Sequence, residues 1–281
     1  MAVLDIFDRH YKKLVFLPLA LLVISAAILA SNMSKYGSVL ERDVELVGGK
    51  TINVEVVNAD IEGIKNSVPN SVVRMTRGVA NVVIVEIPVD ADEKAAFESI
   101  KAEADVVGEP TYRTVGPAIG DLFFQQAQIA LVAAFVLMSI AVFIIFRSPV
   151  PSSIVVLAAA TDIIATMAVM SAIGMKLSLP VLAALLTLIG YSVDTDILLT
   201  ANMLRGKGEI KHRIRNAMKT GLTLTATMLV AFIALYFVTG SFVIEQISAV
   251  IIIGLVIDVF ATWLTNAGIL RYWMEKKHAH A

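Results

Sequence analysis

Apolar residues in this chain gather into six long runs, at roughly residues 14–31, 124–146, 153–173, 179–202, 220–239 and 246–269. A bilayer core takes about 20 apolar residues per helix. Each run therefore predicts a membrane-crossing helix. About 90 residues of mixed composition separate the first run from the second, whereas the other connections are short. The pattern predicts one helix, an extramembranous domain, and then a five-helix bundle. Lys12 and Lys13 precede the first run as they would in a signal peptide, but the run is too long for one and is read as a retained anchor.

The intervening domain has a different rhythm. Thr51–Val57 alternates and is rich in β-branched residues, which predicts a strand. Ala59–Ser67, with Asp60 near an N-cap position, predicts a short helix. Ser71–Arg77 and Asn81–Ile87 are predicted strands joined by a tight Arg77-Gly78 turn. Asp90–Ala104 is an amphipathic helix with an acidic first turn, and Val106–Thr114 is a last strand. This β-α-β-β-α-β order is the α+β, ferredoxin-like pattern. Glu55, Asp60, Glu62, Asp92 and Glu93 are spaced as solvated faces. Gly48-Gly49, before the first strand, fits a turn needing positive φ or a hinge. The expected organisation is 1–31, cytoplasmic N-terminus and first span; 32–120, outward domain; 121–270, five-helix bundle; and 271–281, cytoplasmic tail.

Composition sharpens the class. The chain has 281 residues, of which 57% are hydrophobic and 17% charged; soluble domains carry about 25% charged residues. The partner common to all six runs is the lipid bilayer. A net charge of −1 gives no reason to expect nucleic acid as a partner, and the lack of cysteine removes disulfides and thiolate metal sites. No nucleotide-binding, metal-spaced or Ser/His/Asp motif is present, so no cofactor, metal or enzymatic activity is expected. His278 and His280 read as part of a frayed tail. Arg9, Lys12 and Lys13, then Arg147, then Arg205, Lys207, Lys211, Arg213, Arg215 and Lys219, then Arg271, Lys276 and Lys277 fall on one side of the predicted membrane. Only Lys176 falls in a short loop on the other. Both termini are expected in the cytoplasm of a multi-pass cell-membrane protein.

Four carboxylates interrupt the apolar runs: Asp162, Asp194, Asp196 and Asp258. A charged side chain at a helix centre costs about 2.5–3.5 kcal/mol on insertion scales, so such residues face a bundle interior, a partner or a polar path. At 1.5 Å per residue, Asp162 lies about 14 Å, Asp258 about 18 Å and Asp194 about 22 Å into their helices, with Asp196 about 3 Å beyond. All fall in the middle or inner half. Asp194 and Asp196 point about 200° apart on a helix. One face carries Thr187, Tyr191, Asp194 and Leu198, and another carries Ser192, Asp196 and Thr200. Asp258, Thr262 and Thr265 make a matching stripe, as do Lys219, Thr223 and Thr227. Such stripes join helices; two acids on opposite faces exceed that need and suggest proton or ion coupling. Lys219 would favour a charged carboxylate if it approached Asp196.

Four motifs carry a resemblance. Asp43–Gly49 (DVELVGG), Val115–Gly120 (VGPAIG), Gly190–Asp194 (GYSVD) and Lys219–Thr223 (KTGLT) are similar to signatures of the SecF family, and of its archaeal members in particular. The resemblance spans nearly the whole chain. It implies half of an RND-type transporter, working with a SecD-like subunit to assist secretory polypeptides through a SecY-type channel, with proton movement as the drive. Bacterial members carry an acid at the sixth position of the GYS motif; here that position is Thr195, flanked by Asp194 and Asp196, and Lys219 stands where an Arg is usual. The implied coupling residues are thus Asp194, Asp196 and Lys219, supported by Asp162, Asp258, Tyr191, Ser192 and Thr223. The alternatives are a passive scaffold, a stand-alone RND-type small-molecule exporter (which would need a second six-span half) and an intramembrane aspartyl protease (whose Gly-x-Gly-Asp motif is lacking).

Overall fold

The structure is a computed structural model that describes residues 11, 13–77 and 81–279. Arg9, Lys12, the Gly78 end of the expected turn and His280 lie outside the described residues. Helix α1 (Phe16–Tyr36) ends where Gly37 adopts φ 66° and returns its N–H to Met33 O. A short helix, α2 (Val44–Val47), follows and is capped by the Asp43 carboxylate, which accepts from Val44 N at 2.9 Å.

The sheet domain comprises β1 (Gly49–Ala59), α3 (Ile61–Ser67), β2 (Val72–Arg77), β3 (Asn81–Ile87), α4 (Glu93–Glu103), β4 (Ala104–Val106) and β5 (Thr111–Val115). Asp60 and Asp92 cap α3 and α4 through their carboxylates. Strands pair antiparallel in the order β2-β3-β1-β4, the ferredoxin-like arrangement. The last expected strand is two strands. Gly108, at φ 87°, breaks it, and both pieces pair with the long β1: β5 along Gly49–Asn53, and β4 at Val56 and Ala59.

The domain's core comes from its own elements. Ile52, Val54 and Val56 of β1 meet Val83, Val85 and Ile87 of β3 and Ala96, Phe97 and Ile100 of α4. A fragment spanning residues 49–115 is therefore expected to unfold in one cooperative thermal transition by circular dichroism. A gradual melt would mean that the fold depends on the bundle.

The bundle comprises α5 (Pro117–Phe146), α6 (Pro149–Ala172), α7 (Leu179–Arg205), α8 (Ile210–Val238) and α9 (Phe242–Phe260), the last continuing through a π-helical turn (Ala261–Asn266) into α10 (Ala267–Ala279). Among the described residues, six helical stretches are long and apolar enough to cross a membrane. They are not equivalent: the apolar window of α6 is 67% buried, against 11% for α5 and α8. The centre is thus α6, α7 and α9, with α5 and α8 on the rim. Lipid offers no hydrophobic driving force between helices, so close approach at small residues matters. A Cβ on Gly254 would lie 2.2 Å from Leu188, and one on Gly221 would lie 2.3 Å from the Trp263 ring. These glycines let α9 and the π turn sit against α7 and α8.

Two of the motifs meet at the joint between domain and bundle. Gly48, at φ 93°, packs on Pro117, and Gly120 packs on the backbone of Leu46, Val47 and Gly48. The positive φ expected near Gly48-Gly49 falls on Gly48. Beside it, Asp43 N donates to Leu177 O at 2.9 Å and Leu177 N to Glu41 O at 2.7 Å, tying the segment after α1 to the α6–α7 connection. Ser178 adds a bond to Gln246 of α9 at 2.9 Å.

Candidate functional site

The membrane carboxylates divide into one buried group and one outlier. Asp162 of α6, Asp196 of α7 and Asp258 of α9 are each 0% exposed. Asp194 is exposed on the opposite side of α7. A helix with residues two apart must separate them in this way.

Thr262 connects two of the buried acids. Its hydroxyl lies 2.9 Å from Asp196 Oδ1 and 3.0 Å from Asp258 Oδ1. A hydroxyl has one hydrogen to donate. The second contact is a hydrogen bond only when that carboxyl itself carries a proton. Asn266 Nδ2 donates to the same Asp196 oxygen at 2.6 Å. Ser192 donates to Asp162, and Asp258 is within side-chain hydrogen-bonding reach of Asp162 and Ser192. The groups thus form one chain: Ser192, Asp162, Asp258, Thr262, Asp196 and Asn266, drawn from three helices.

Local backbone produces this convergence. Asp258, Thr262 and Asn266 recur every four residues. In a regular helix such a series drifts around the axis. The π turn over Ala261–Asn266 adds a residue to the turn, and π turns recur at functional sites. Thr262 and Asn266 consequently reach the same carboxylate oxygen. Trp263, in the same turn, fills the space that Gly221 leaves.

One oxygen of each acid (Asp162 Oδ1, Asp196 Oδ2 and Asp258 Oδ2) is buried without a donor, and so is Asn266 Oδ1. Among the described residues no Lys or Arg pairs with any of the three acids. Burial of unpaired carboxylate charge is costly. Protons on the group neutralise that charge and supply the missing donors. The arrangement thus offers three buried carboxyls, one from each of three helices, as candidate proton-binding groups.

The other expected site residues are elsewhere. Lys219 and Thr223 are exposed on α8. Thr223 Oγ1 donates to Lys219 O at 2.8 Å, and Thr227 repeats the pattern with Thr223 O. Tyr191 is half-buried against the core of α7 and α9. On α7, Thr187 (bonded to Ala183 O at 2.8 Å) and Gly190 share the exposed side with Asp194. The structure brings together Asp196, Asp162, Asp258 and Ser192, and leaves Asp194, Lys219 and Thr223 outside the group. Asn266 is the site residue that the sequence does not single out: the fourfold spacing from Asp258 through Thr262 points to it, whereas the regular helical stripe points to Thr265.

Comparison with known proteins agrees with the fold. Residues 94–276 match the family described as protein export membrane protein SecD/SecF, C-terminal. The protein-export membrane protein SecF of Methanothermobacter thermautotrophicus is 37% identical over 98% of this chain and 96% of its own length. The SecF of Pyrococcus furiosus is 36% identical over 95% of this chain and 92% of its own. Among solved structures, SecDF from Thermus thermophilus, a translocon-associated membrane protein, superposes with a TM-score of 0.76 at 19% identity. That match covers 96% of this chain and 38% of the SecDF chain, so this chain spans well under half of that protein. On near full-length identity to several archaeal relatives, supported by the fold, the chain belongs to the SecF family of protein-export membrane proteins.

Proposed function

We propose that this export subunit works with a SecD-like partner to assist secretory polypeptides through a SecY-type channel, and that proton movement through the buried carboxylates drives the cycle. The observation that carries the coupling reading is the three-helix chain of Asp162, Asp258, Thr262 and Asp196, fully buried and without a basic partner among the described residues. Each proton gained or lost there changes the charge that α6, α7 and α9 must accommodate. Such a group is a two-state element that a proton can bias. In this reading both termini are cytoplasmic and the sheet domain faces outward, as the Lys and Arg distribution suggests.

The partner reading rests on the opposite side of α7. Asp194, Thr187 and Gly190 on α7, with Lys219 and Thr223 on α8, are exposed along the rim. A carboxylate facing lipid is costly; one facing a second subunit is not. The threonines are already bonded within their own helices, which leaves close, small surfaces suited to another helix.

The test is reconstitution with the SecD-like partner in vesicles that also hold the channel. Export of a secretory precursor is expected to rise when a proton gradient is imposed and to return to its basal level when an uncoupler is added. Stimulation indifferent to the gradient would support the scaffold reading instead. The partner contact has its own measure: Asp194→Leu is expected to reduce co-purification of the partner at least tenfold, whereas Asp162→Asn is not. The hydrolytic alternative gains nothing from the geometry, because all three carboxyls are closed to solvent.

A further inference from the structure

A second group of charges lies far from the membrane acids, where the sheet domain rests on the bundle. Glu86 of β3 is 6% exposed and Asp43 is 4% exposed. Arg74 of β2 reaches Glu86 Oε1 at 2.8 Å and Asp43 Oδ2 at 3.7 Å, and its guanidinium lies over the Phe242 ring at the start of α9. Lys176, in the α6–α7 connection, lies 3.8 Å from Glu86 Oε2 and 3.1 Å from Glu41 Oε1. Glu86 and Arg74 belong to the domain. Asp43, Glu41, Lys176 and Phe242 belong to the segments that hold the bundle.

The charges do not balance when every group is ionised. Arg74 and Lys176 offset Asp43 and Glu41; the third carboxylate, Glu86, is the excess. Among the described residues the other cations there are already committed: Arg42, which lines the same cavity as Glu86 and Lys176, pairs with Asp121 at 3.2 Å. Glu45 is already paired with Arg113, and Glu245, beside Arg74, is another acid. Cavities of about 340 and 360 Å³ on either side of Glu86 bring solvent close enough to deliver a proton.

We propose that Glu86 is a proton-binding site at the domain–bundle joint, and that the proton it takes up locks the outward domain onto the bundle. The inference concerns a different site from the membrane carboxylates and does not depend on their role. Burial and then the neighbouring Asp43 charge push the Glu86 carboxyl up to about 8 in the docked arrangement, although Arg74 and Lys176 pull the other way. Once the domain lifts away, solvent and distance restore an ordinary value near 4.5. The sign follows by linkage. Docking binds a proton, so it is strongest at low pH. It weakens by up to about tenfold for each unit between the two values and levels off above about 8. Ionised Glu86 leaves the joint with an unbalanced negative charge, facing Asp43.

The chain has no cysteine, so a label pair can be placed cleanly in the full-length protein. Lys101→Cys on α4 and Ile173→Cys at the end of α6 are exposed positions on the two bodies. Spin-label distances in lipid nanodiscs are expected to show one docked population at pH 5 and a growing second population up to pH 8, with no further change at pH 9. Glu86→Gln, which keeps the shape and loses the titration, is expected to stay docked throughout. Asp43→Asn retains a capping oxygen for α2 and is expected to move the upper end of the window to lower pH. Asp196→Asn should leave the profile as it is, which separates this test from the coupling reading. A native distance distribution that does not change between pH 5 and 9 overturns the proposal, as does a Glu86→Gln chain that still shifts with pH.

Discussion

Asp196→Asn is expected to remove the gradient-dependent part of export stimulation while leaving the folded chain and its assembly with the partner intact. Asp196 Oδ1 accepts from Thr262 and Asn266. An Asn carbonyl in the same place accepts both bonds, so the junction of α7 with the π turn survives. What is lost is the ability to gain and release a proton. One elementary charge moving through about 100 mV is worth about 2.3 kcal/mol, which corresponds to roughly fiftyfold in an equilibrium. A drop of at least tenfold in the stimulated rate, with the basal rate unchanged, is the expected size.

Companion variants separate charge from structure. Asp196→Ala removes the acceptor and strands two buried donors, at about 1–3 kcal/mol each, so it should lower thermal stability where Asn does not. Thr262→Val keeps the volume but removes the hydroxyl between Asp196 and Asp258; it should resemble Asp196→Asn in transport. Should Asp196→Asn export at the native rate under a gradient, the buried acids join helices and the scaffold reading takes first place.

Why does the sequence single out the polar residues of the membrane helices but not show which of them meet? Periodicity told which residues share a face of one helix. It did not tell which faces of different helices meet. Asp194 and Asp196 were separable on the wheel, yet either could have looked inward. The π turn is a further obstacle, because it changes the residue count per turn over Ala261–Asn266, and the 3.6-residue wheel then places Thr265 where Asn266 stands. The sheet domain is opaque in another way. Its helix and strand order was legible, since alternation and caps are local. The role of Glu86 was not. On β3, Val83, Val85 and Ile87 turn toward the domain core, so Ile84 and Glu86 should face water. Instead all five are buried, because the bundle covers the second side of the sheet. A polar residue on an expected solvent face gives no sign that another body will be placed over it.

Substitutions in the two glycine motifs at the joint should separate sharply. Gly48→Ala meets two obstacles. Its φ of 93° is disfavoured for any residue with a Cβ, and that Cβ would stand 2.6 Å from Pro117 Cα and N. Those atoms are backbone at the start of α5 and cannot turn aside. Left-handed backbone costs about 1–2 kcal/mol and overpacking about 1–3 kcal/mol, so a loss of about 2–5 kcal/mol is expected. Gly120→Ala is at ordinary helical backbone but would place its Cβ 2.8 Å from Gly48 N and about as close to the carbonyl carbons of Val47 and Leu46; only the packing cost applies, about 1–3 kcal/mol. Gly116→Ala, in the same motif as Gly120, meets nothing within 4 Å at φ −70° and should be neutral. Thermal unfolding of the three variants in detergent ranks them directly. The expected order of loss is Gly48, then Gly120, then Gly116. Equal effects at Gly116 and Gly120 would mean that the crossing of α2 over α5 is not what holds the domain to the bundle.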